Sequence, residues 1–387
     1  MAERSYFDWN ATAPLRPEAR AALEAALALG GNPSSVHAEG RAARHAVEIA
    51  REQVAALVGA QPGDVVFTSS GTEANMAALT PAIEVDGETR PRSRLLISAI
   101  EHASVRSGGR FPPEAIEEMP VDADGRLDLA ALERALSRQA PAVVSVMLAN
   151  NETGVLQPVA EAAAIVHAAG GLFHVDAVQA AGRIGCDMAA LGADVLTLSA
   201  HKIGGPKGAG ALIRRGDHIH FPSPLIRGGG QERGLRAGTE NVPGIVAFGA
   251  AAAAARRDGG SEVSHMLALR TRLEAGLREI LPSAVIFGQK AERLPNTTLF
   301  AAPGMKAETA VIAFDLAGIA ISAGAACSSG KVQPSHVLAA MKVPPELRGA
   351  VRVSLGWETT EADIERFQNA WRKLATTLSK GERGIAA

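Results

Sequence analysis

The sequence predicts an α/β protein. It reads as a large domain with a mostly parallel sheet flanked by helices, followed by a smaller α+β C-terminal domain. Three observations lead there. Short apolar segments alternate with helical stretches up to about position 258, the mark of a parallel sheet covered on both faces. After Asp258-Gly259-Gly260 the pattern changes to long helices and few strands. The length of 387 residues, 47% hydrophobic and 21% charged, exceeds one ordinary domain and supplies a large core.

The elements follow in order. Val65-Val66-Phe67-Thr68 is a short apolar strand, and an Ala-rich helix starts near Thr72. Arg94 to Ile100 is a buried strand. Leu129, Leu132 and Leu136 have helical spacing behind Asp128, an N-cap residue type. Ala142 to Leu148 is a strand, Pro158 to Ala169 a helix ended by Gly170-Gly171, and Leu172 to Val178 a strand. Val195 to Ser199 and Gly210 to Arg214 complete the run. A helix from about Pro243 to Arg257 is expected to stop at Asp258-Gly259-Gly260. A second helix then covers about 261–280. Two short strands, a helix near 307–317, a strand at 319–322 and a Gly/Ser-rich loop at 323–334 follow. The chain closes with a helix from Ser335, the strand 351–355 and an amphipathic helix from about Glu361. The expected division is 14–258 for the large domain and 259–387, with 1–13, for the small one.

Composition excludes several classes. The formal net charge of −2 argues against a nucleic-acid or anionic-membrane surface. Two cysteines, Cys186 and Cys327, make neither a disulfide framework nor a zinc ribbon, and they suit a reducing compartment. The most apolar stretches are interrupted by Asp315 and by Arg256-Arg257, short of the roughly 20 apolar residues of a membrane span. No apolar signal region opens the chain, so a cytoplasmic protein is expected.

Three segments carry chemistry. In Ser199-Ala200-His201-Lys202-Ile203-Gly204-Gly205, a lysine follows a buried strand, where open α/β sheets place ligands. Such a lysine is suited to a Schiff base, with Ser199 and His201 beside an anion. It also reads, more plainly, as a solvated lysine at a strand exit. Asp176 lies on an otherwise apolar strand, where a carboxylate is costly without a cation or several donors. A protonated pyridine nitrogen is a fitting partner; a helix cap or buried ion pair is the plainer one. Gln179 can donate to a phenolate-type oxygen. Thr68-Ser69-Ser70-Gly71-Thr72 is a strand, a turn and a helix start, a phosphate-binding arrangement or simply a helix capped by Thr72.

The order of these signals is that of fold-type I pyridoxal-phosphate (PLP) enzymes. The segments DWNATAPLRPE, GNPSSVHAEGRAAR, FTSSGTEAN, EHASV, NNETGVLQP, FHVDAVQAAG, SAHKIGGPKGAGAL, GGGQERGLRAGTENV and GAACSSG, spread over positions 8–356, resemble the cysteine desulfurases of iron–sulfur cluster assembly. The resemblance implies a PLP-dependent homodimer. It would convert L-cysteine to L-alanine and pass sulfur, through an enzyme persulfide, to an acceptor or iron–sulfur scaffold protein. It implies Lys202 as the covalent PLP attachment, Asp176 at the pyridinium nitrogen and His102 stacked on the ring. Gln179 and Asn151 would lie near the phenolate oxygen or the substrate. Gly71, Thr72, Ser199 and His201 would hold the phosphate, joined by Thr239 across the dimer interface. Asn10, Asn151 and Arg352 would take the substrate, Arg352 by its carboxylate. Cys327, on its loop of small residues, would be the sulfur-accepting nucleophile, and no metal is implied. Cys186 is expected in or near the core. Trp9, Ala13, Ala323, Ala325 and Lys342 depart from the family's usual residues, and Trp9 is expected to alter the substrate mouth. The competing readings are a selenocysteine lyase, another class V aminotransferase, or a catalytically silent sulfur-relay subunit. Cys327 argues against an aminotransferase. Lys202, Asp176, His102 and Arg352 together argue against a silent subunit.

Overall fold

Seven strands make the central sheet: β1 (Val65–Thr68), β2 (Leu95–Ser98), β3 (Ile116–Met119), β4 (Val143–Met147), β5 (Leu172–Asp176), β6 (Val195–Ser199) and β7 (Gly210–Arg214). The structure is a computed structural model, and it describes residues 4–89, 92–138, 141–324 and 334–385. The strand order is β1-β7-β6-β5-β4-β2-β3. All neighbours pair parallel except at β7, which is antiparallel to both β1 and β6. Every residue of β1, β2, β4, β5, β6 and β7 is buried, which explains why these strands read as predominantly apolar runs. The edge strand β3 was not legible in that way. Its sequence is Ile-Glu-Glu-Met, and charge on an edge blunts unwanted strand pairing.

Helices α1 (Pro17–Leu27), α2 (Ala38–Leu57), α3 (Gly71–Ala78), α4 (Leu129–Arg138) and α5 (Val159–Ala168) belong to this part of the chain. Asp128 caps α4 as expected, accepting from Ala131 N at 2.9 Å. The next helix corrects the sequence reading. Helix α6 runs unbroken from Val242 to Ile280, straight through Asp258-Gly259-Gly260. Two glycines in a helix cost about 2 kcal/mol relative to alanine. Each large apolar side chain buried contributes about 1.5–3 kcal/mol. The first half of α6 buries Phe248 in the core beneath the sheet, and the second half buries Met266, Leu269, Leu273 and Leu277 in another core. Burial at both ends therefore outweighs the glycine penalty.

That other core lies against a four-stranded antiparallel sheet of order β8-β9-β11-β10, with β8 Val285–Ile286, β9 Thr297–Ala301, β10 Ser322–Ala323 and β11 Val351–Ser354. Helices α7 (Ala307–Leu316), α8 (His336–Ala340) and α9 (Glu361–Ile385) accompany it. Phe314 stacks on Phe367 at 5.0 Å, and Phe300 meets Trp371 edge-on at 5.2 Å. The N-terminal segment Ser5–Tyr6 pairs with Ile319–Ala320, and Phe7 is buried in the same core. This anchorage carries residues 8–12 to the rim of the central sheet. Among the described residues no helix is long and apolar enough to cross a membrane.

Candidate active site

The parallel strands end along one rim, at Thr68, Ser98, Met147, Asp176 and Ser199. The residues just beyond them line a cleft of about 230 Å³. Ser70, Gly71, Thr72 and Asn75 come from the start of α3. His102 and Ser104 follow β2, and Asn151 follows β4. Asp176 and Gln179 come from the end of β5, and Ser199, His201 and Lys202 from β6. Sequence reasoning placed most of these here; it missed Ser70, Asn75 and Ser104.

Helix α3 is capped by Ser70, not by Thr72: Ser70 Oγ accepts from Glu73 N at 3.1 Å. Thr72 is thereby left on the first turn, facing the cleft. A Cβ on Gly71 would lie 3.0 Å from Val178 and 3.1 Å from Ser199, so the turn packs tightly here and a side chain would push its neighbours by a few tenths of an ångström. Asp176 accepts from Asn75 Nδ2 at 2.8 Å and from Val178 N at 3.0 Å. These donors stabilise a carboxylate on an apolar strand.

Lys202 Nζ donates to the carbonyls of Asn10, at 2.5 Å, and Ala11, at 2.9 Å. Burial, reinforced by the nearby charges of Arg352 and Arg183, pushes its pKa down to about 7. A large share of this amine is therefore neutral and nucleophilic at neutral pH. Burial, with Lys202 beside it, also pushes His201 down to about 4. Burial lowers His102, where the charge of Asp176 opposes and that of Lys202 assists.

Arg352 is buried on β11. It donates to Asn151 O at 2.9 Å and to Asp8 at 2.8 Å. The Asn10 side chain is engaged within the protein, donating to Thr297 Oγ1 and Asn151 O and accepting from Asn296. Its carbonyl, not its amide, faces Lys202 and Gln179. Gln179 donates to that carbonyl at 3.0 Å and accepts from Arg183 at 2.6 Å. Trp9 corrects the sequence reading: its indole does not line the cleft. It is buried, 4.6 Å edge-on to Trp357, with Nε1 donating to Tyr6 O.

Thr239 is exposed and lines a separate depression with Thr68, Ser69, Glu232 and Arg236. Its loop is held by strain offset elsewhere. Glu232 and Arg233 have φ of 45° and 57°, and the buried Glu232 carboxylate accepts from Arg51 at 2.7 and 2.8 Å and from Phe67 N at 2.8 Å. Cys327 lies outside the described residues. Cys186 is buried, as expected. Among the described residues no cluster of three or more His, Cys, Asp or Glu side chains is placed to hold a metal.

The family model for class V aminotransferases matches residues 5–367. A cysteine desulfurase of Cereibacter sphaeroides is 46% identical over 94% of this chain and 94% of its own length. The chain belongs to the cysteine desulfurase family. The cysteine desulfurase IscS of Dictyoglomus turgidum is 39% identical, covering 94% of this chain and 92% of its own. A NifS-like protein from Rickettsia africae ESF-5 superposes with a TM-score of 0.87 at 36% identity, over 96% of this chain and 99% of that one. The family is PLP-dependent, and the cleft fits that cofactor. It offers an amine held near neutrality, a buried carboxylate with room at the sheet's rim, and an open helix N-terminus at Gly71-Thr72 where a Cβ would intrude.

Proposed function

We propose that the protein converts L-cysteine to L-alanine and transfers the sulfur to Cys327 as a persulfide, supplying iron–sulfur cluster assembly. The observation that carries this reading is Lys202. It is buried at the end of β6, its pKa is about 7, and it shares one cleft with Asp176 and His102. Full-length likeness to cysteine desulfurases and the GAACSSG segment add the sulfur chemistry.

Lys202 would hold the cofactor, Asp176 would pair with its ring nitrogen, and His102 would lie against its ring. The N–H groups at Gly71 and Thr72, with Ser199 and His201, would receive its phosphate. Bound there, PLP supplies an electron sink for negative charge at the substrate Cα. Arg352 orients the substrate by its carboxylate, while Asn151 and Gln179 border the amino group and ring. Lys202 would take the Cα proton with its neutral amine. The Cys327 thiolate then attacks the substrate sulfur. The new S–S bond forms as the Cβ–S bond breaks, the bonding pair stays on Cβ, and a proton converts that carbon to the alanine methyl group. Thr239, exposed in its own depression, would reach the phosphate of a second subunit in a homodimer. The persulfide is passed to an acceptor or scaffold protein in the cytoplasm.

The deciding experiment incubates the purified protein with L-cysteine and a reductant and measures alanine and sulfide. Equal yields of both are expected. Alanine without sulfide, or keto acid instead of alanine, overturns the reading.

A further inference from the structure

A continuous chain of polar side chains crosses beneath the cleft. Ser145 Oγ lies 2.8 Å from His174 Nδ1, and His174 Nε2 lies 3.2 Å from Thr197 Oγ1. Thr197 Oγ1 lies 2.6 Å from Asn75 Oδ1. Asn75 Nδ2 lies 2.8 Å from Asp176 Oδ2 and 2.9 Å from Ser104 Oγ. Ser104 Oγ lies 2.8 Å from His102 Nδ1. Ser145, His174, Thr197, Asn75, Ser104 and Asp176 are all buried, so each bond must have a donor and an acceptor.

The directions are fixed from one end. A carboxylate only accepts, so the Asn75 atom beside Asp176 is its NH₂ group. The Asn75 oxygen therefore faces Thr197, whose hydroxyl gives it the proton. Thr197, having donated, accepts from His174 Nε2–H, and His174 Nδ1 accepts from Ser145. On the other branch, the second Asn75 N–H goes to Ser104 Oγ. Ser104 must then give its own proton to His102 Nδ1. The Ser104 backbone N–H points at the same nitrogen, 3.2 Å away. Two donors converge on His102 Nδ1, leaving no place for a proton there.

We propose that Asn75, acting through Ser104, is a positioning residue that fixes His102 as the neutral imidazole with its proton on Nε2, while holding the Asp176 carboxylate. One amide thus sets two groups of the cleft at once, and it does so by the direction of its dipole. An ordinary histidine shares its proton between both nitrogens and takes a second near neutral pH. His102 does neither, so Nε2–H is a fixed donor and the ring stays uncharged. The charged groups around it are Asp176 and Lys202, and His336 stands nearby with Nε2 3.0 Å from Glu101 O. This inference rests on the proposed role of His102 beside the cofactor, but its test does not depend on turnover.

The test uses the full-length holoenzyme with ¹⁵N-labelled histidine, and His102→Gln to assign the His102 ring signals. The wild-type spectrum at neutral pH is expected to show His102 as Nε2–H, neutral. Asn75→Ala and Ser104→Ala should shift its signals toward a mixed tautomer or the imidazolium. Ser104→Thr, which keeps the hydroxyl, should restore the wild-type pattern. Desulfurase kcat is expected to fall about tenfold or more in Asn75→Ala with a smaller change in KM, the range of a misplaced acid–base group. If Asn75→Ala does not fold, Ser104→Ala and Ser104→Thr decide alone. An Nδ1-protonated or charged His102 in the wild type overturns the inference. So does a wild-type His102 pattern in folded Ser104→Ala and Asn75→Ala. Failure of the alanine and sulfide assay would instead strike at the proposed reaction and leave the tautomer result standing.

Discussion

Arg352 Nη2 donates to the carboxylate of Asp8 at 2.8 Å, while Arg352 Nε, buried beside it, has no partner among the described residues. One edge of the guanidinium is held by an internal carboxylate and by Asn151 O. Nε is covered and unpaired among the described residues, and Arg352 is not among the residues that line the cleft. A buried donor without a partner is costly, and a substrate carboxylate, in the role proposed above, would satisfy it. Arg352→Ala should therefore raise KM for cysteine. Loss of a charge-assisted pair costs about 1.5–3 kcal/mol, or roughly a ten- to hundredfold weakening. Cofactor content, read from visible absorbance, should stay near that of the wild type. Arg352→Lys should not restore the KM, because an ammonium cannot reproduce the planar fork. An unchanged KM in Arg352→Ala would assign the carboxylate to another group.

The acidity of Lys202 predicts a pH profile. The neutral amine is the form that condenses with an aldehyde. As pH rises through about 7, the neutral fraction of Lys202 grows and then saturates. The rate at which cofactor-free protein takes up PLP should rise up to about pH 7 and level off. A lysine at the ordinary value of about 10.4 would gain nearly tenfold per pH unit through pH 9. Continued rise above pH 8 would contradict the burial of Lys202. Borohydride reduction of the loaded protein should label the peptide containing Lys202 and no other lysine.

The sequence made the strand ends legible because β1, β4, β5 and β6 are mainly apolar runs, with Ser145, His174 and Thr197 as polar exceptions within them and Asp176 and Ser199 at their ends. The residues that orient the site were not legible. Asn75 and Ser104 stand on two short helices with no local pattern, and the partners of Asn75, Asp176 and Ser104, are 101 and 29 residues away in the chain. Asp8 meets Arg352 only because the N-terminal segment joins Ile319–Ala320. The error at Asp258-Gly259-Gly260 had a different origin. Local propensity stops a helix there, and tertiary burial of Phe248 on one side and Leu273 on the other overrides it.

That override makes a stability prediction. Gly259 and Gly260 lie inside α6, and a Cβ at either position would meet no atom within 4 Å. Neither has a positive φ. Gly259→Ala and Gly260→Ala should each stabilise the protein by about 0.5–1 kcal/mol, by removing unfolded-state freedom and improving helix propensity. The urea midpoint should rise with an unchanged slope. A fall in the midpoint would mean that the helix bends or opens at these glycines.

The homodimer is tested through Thr239. Lys202→Ala should be inactive, and Thr239→Ala impaired if its hydroxyl holds a phosphate. When the two proteins exchange subunits, a Thr239 that acts across the interface puts both lesions in one site of the mixed dimer. The other site is then intact, and activity should reappear to about a quarter of the wild-type level, since half of the dimers are mixed and each has one good site. This size follows from random pairing of a dimer. Verified exchange without recovery would place Thr239 in its own subunit's site.

The two cysteines should behave as opposites. Cys186 is buried, and burial pushes its thiol up to about 12. At pH 8 about one molecule in ten thousand would carry the thiolate there, and the thiolate is the nucleophile. Cys327 is flanked in the sequence by Ala, Ser and Gly, and it is the thiol proposed as the nucleophile. Limiting alkylating agent should therefore label Cys327 first. Cys186→Ala should keep most of the activity and lose about 1 kcal/mol of stability from a small packing defect. Cys327→Ala should still bind PLP and L-cysteine, because Lys202, Asp176 and Arg352 are untouched. It should give almost no alanine, because the electron pair on the Cβ–S bond has no sulfur acceptor to release it. After one turnover without reductant, mass spectrometry should find a single extra sulfur on the peptide containing Cys327. An extra sulfur on Cys186, or normal turnover by Cys327→Ala, would refute the proposed transfer while leaving the assignment of Lys202 intact.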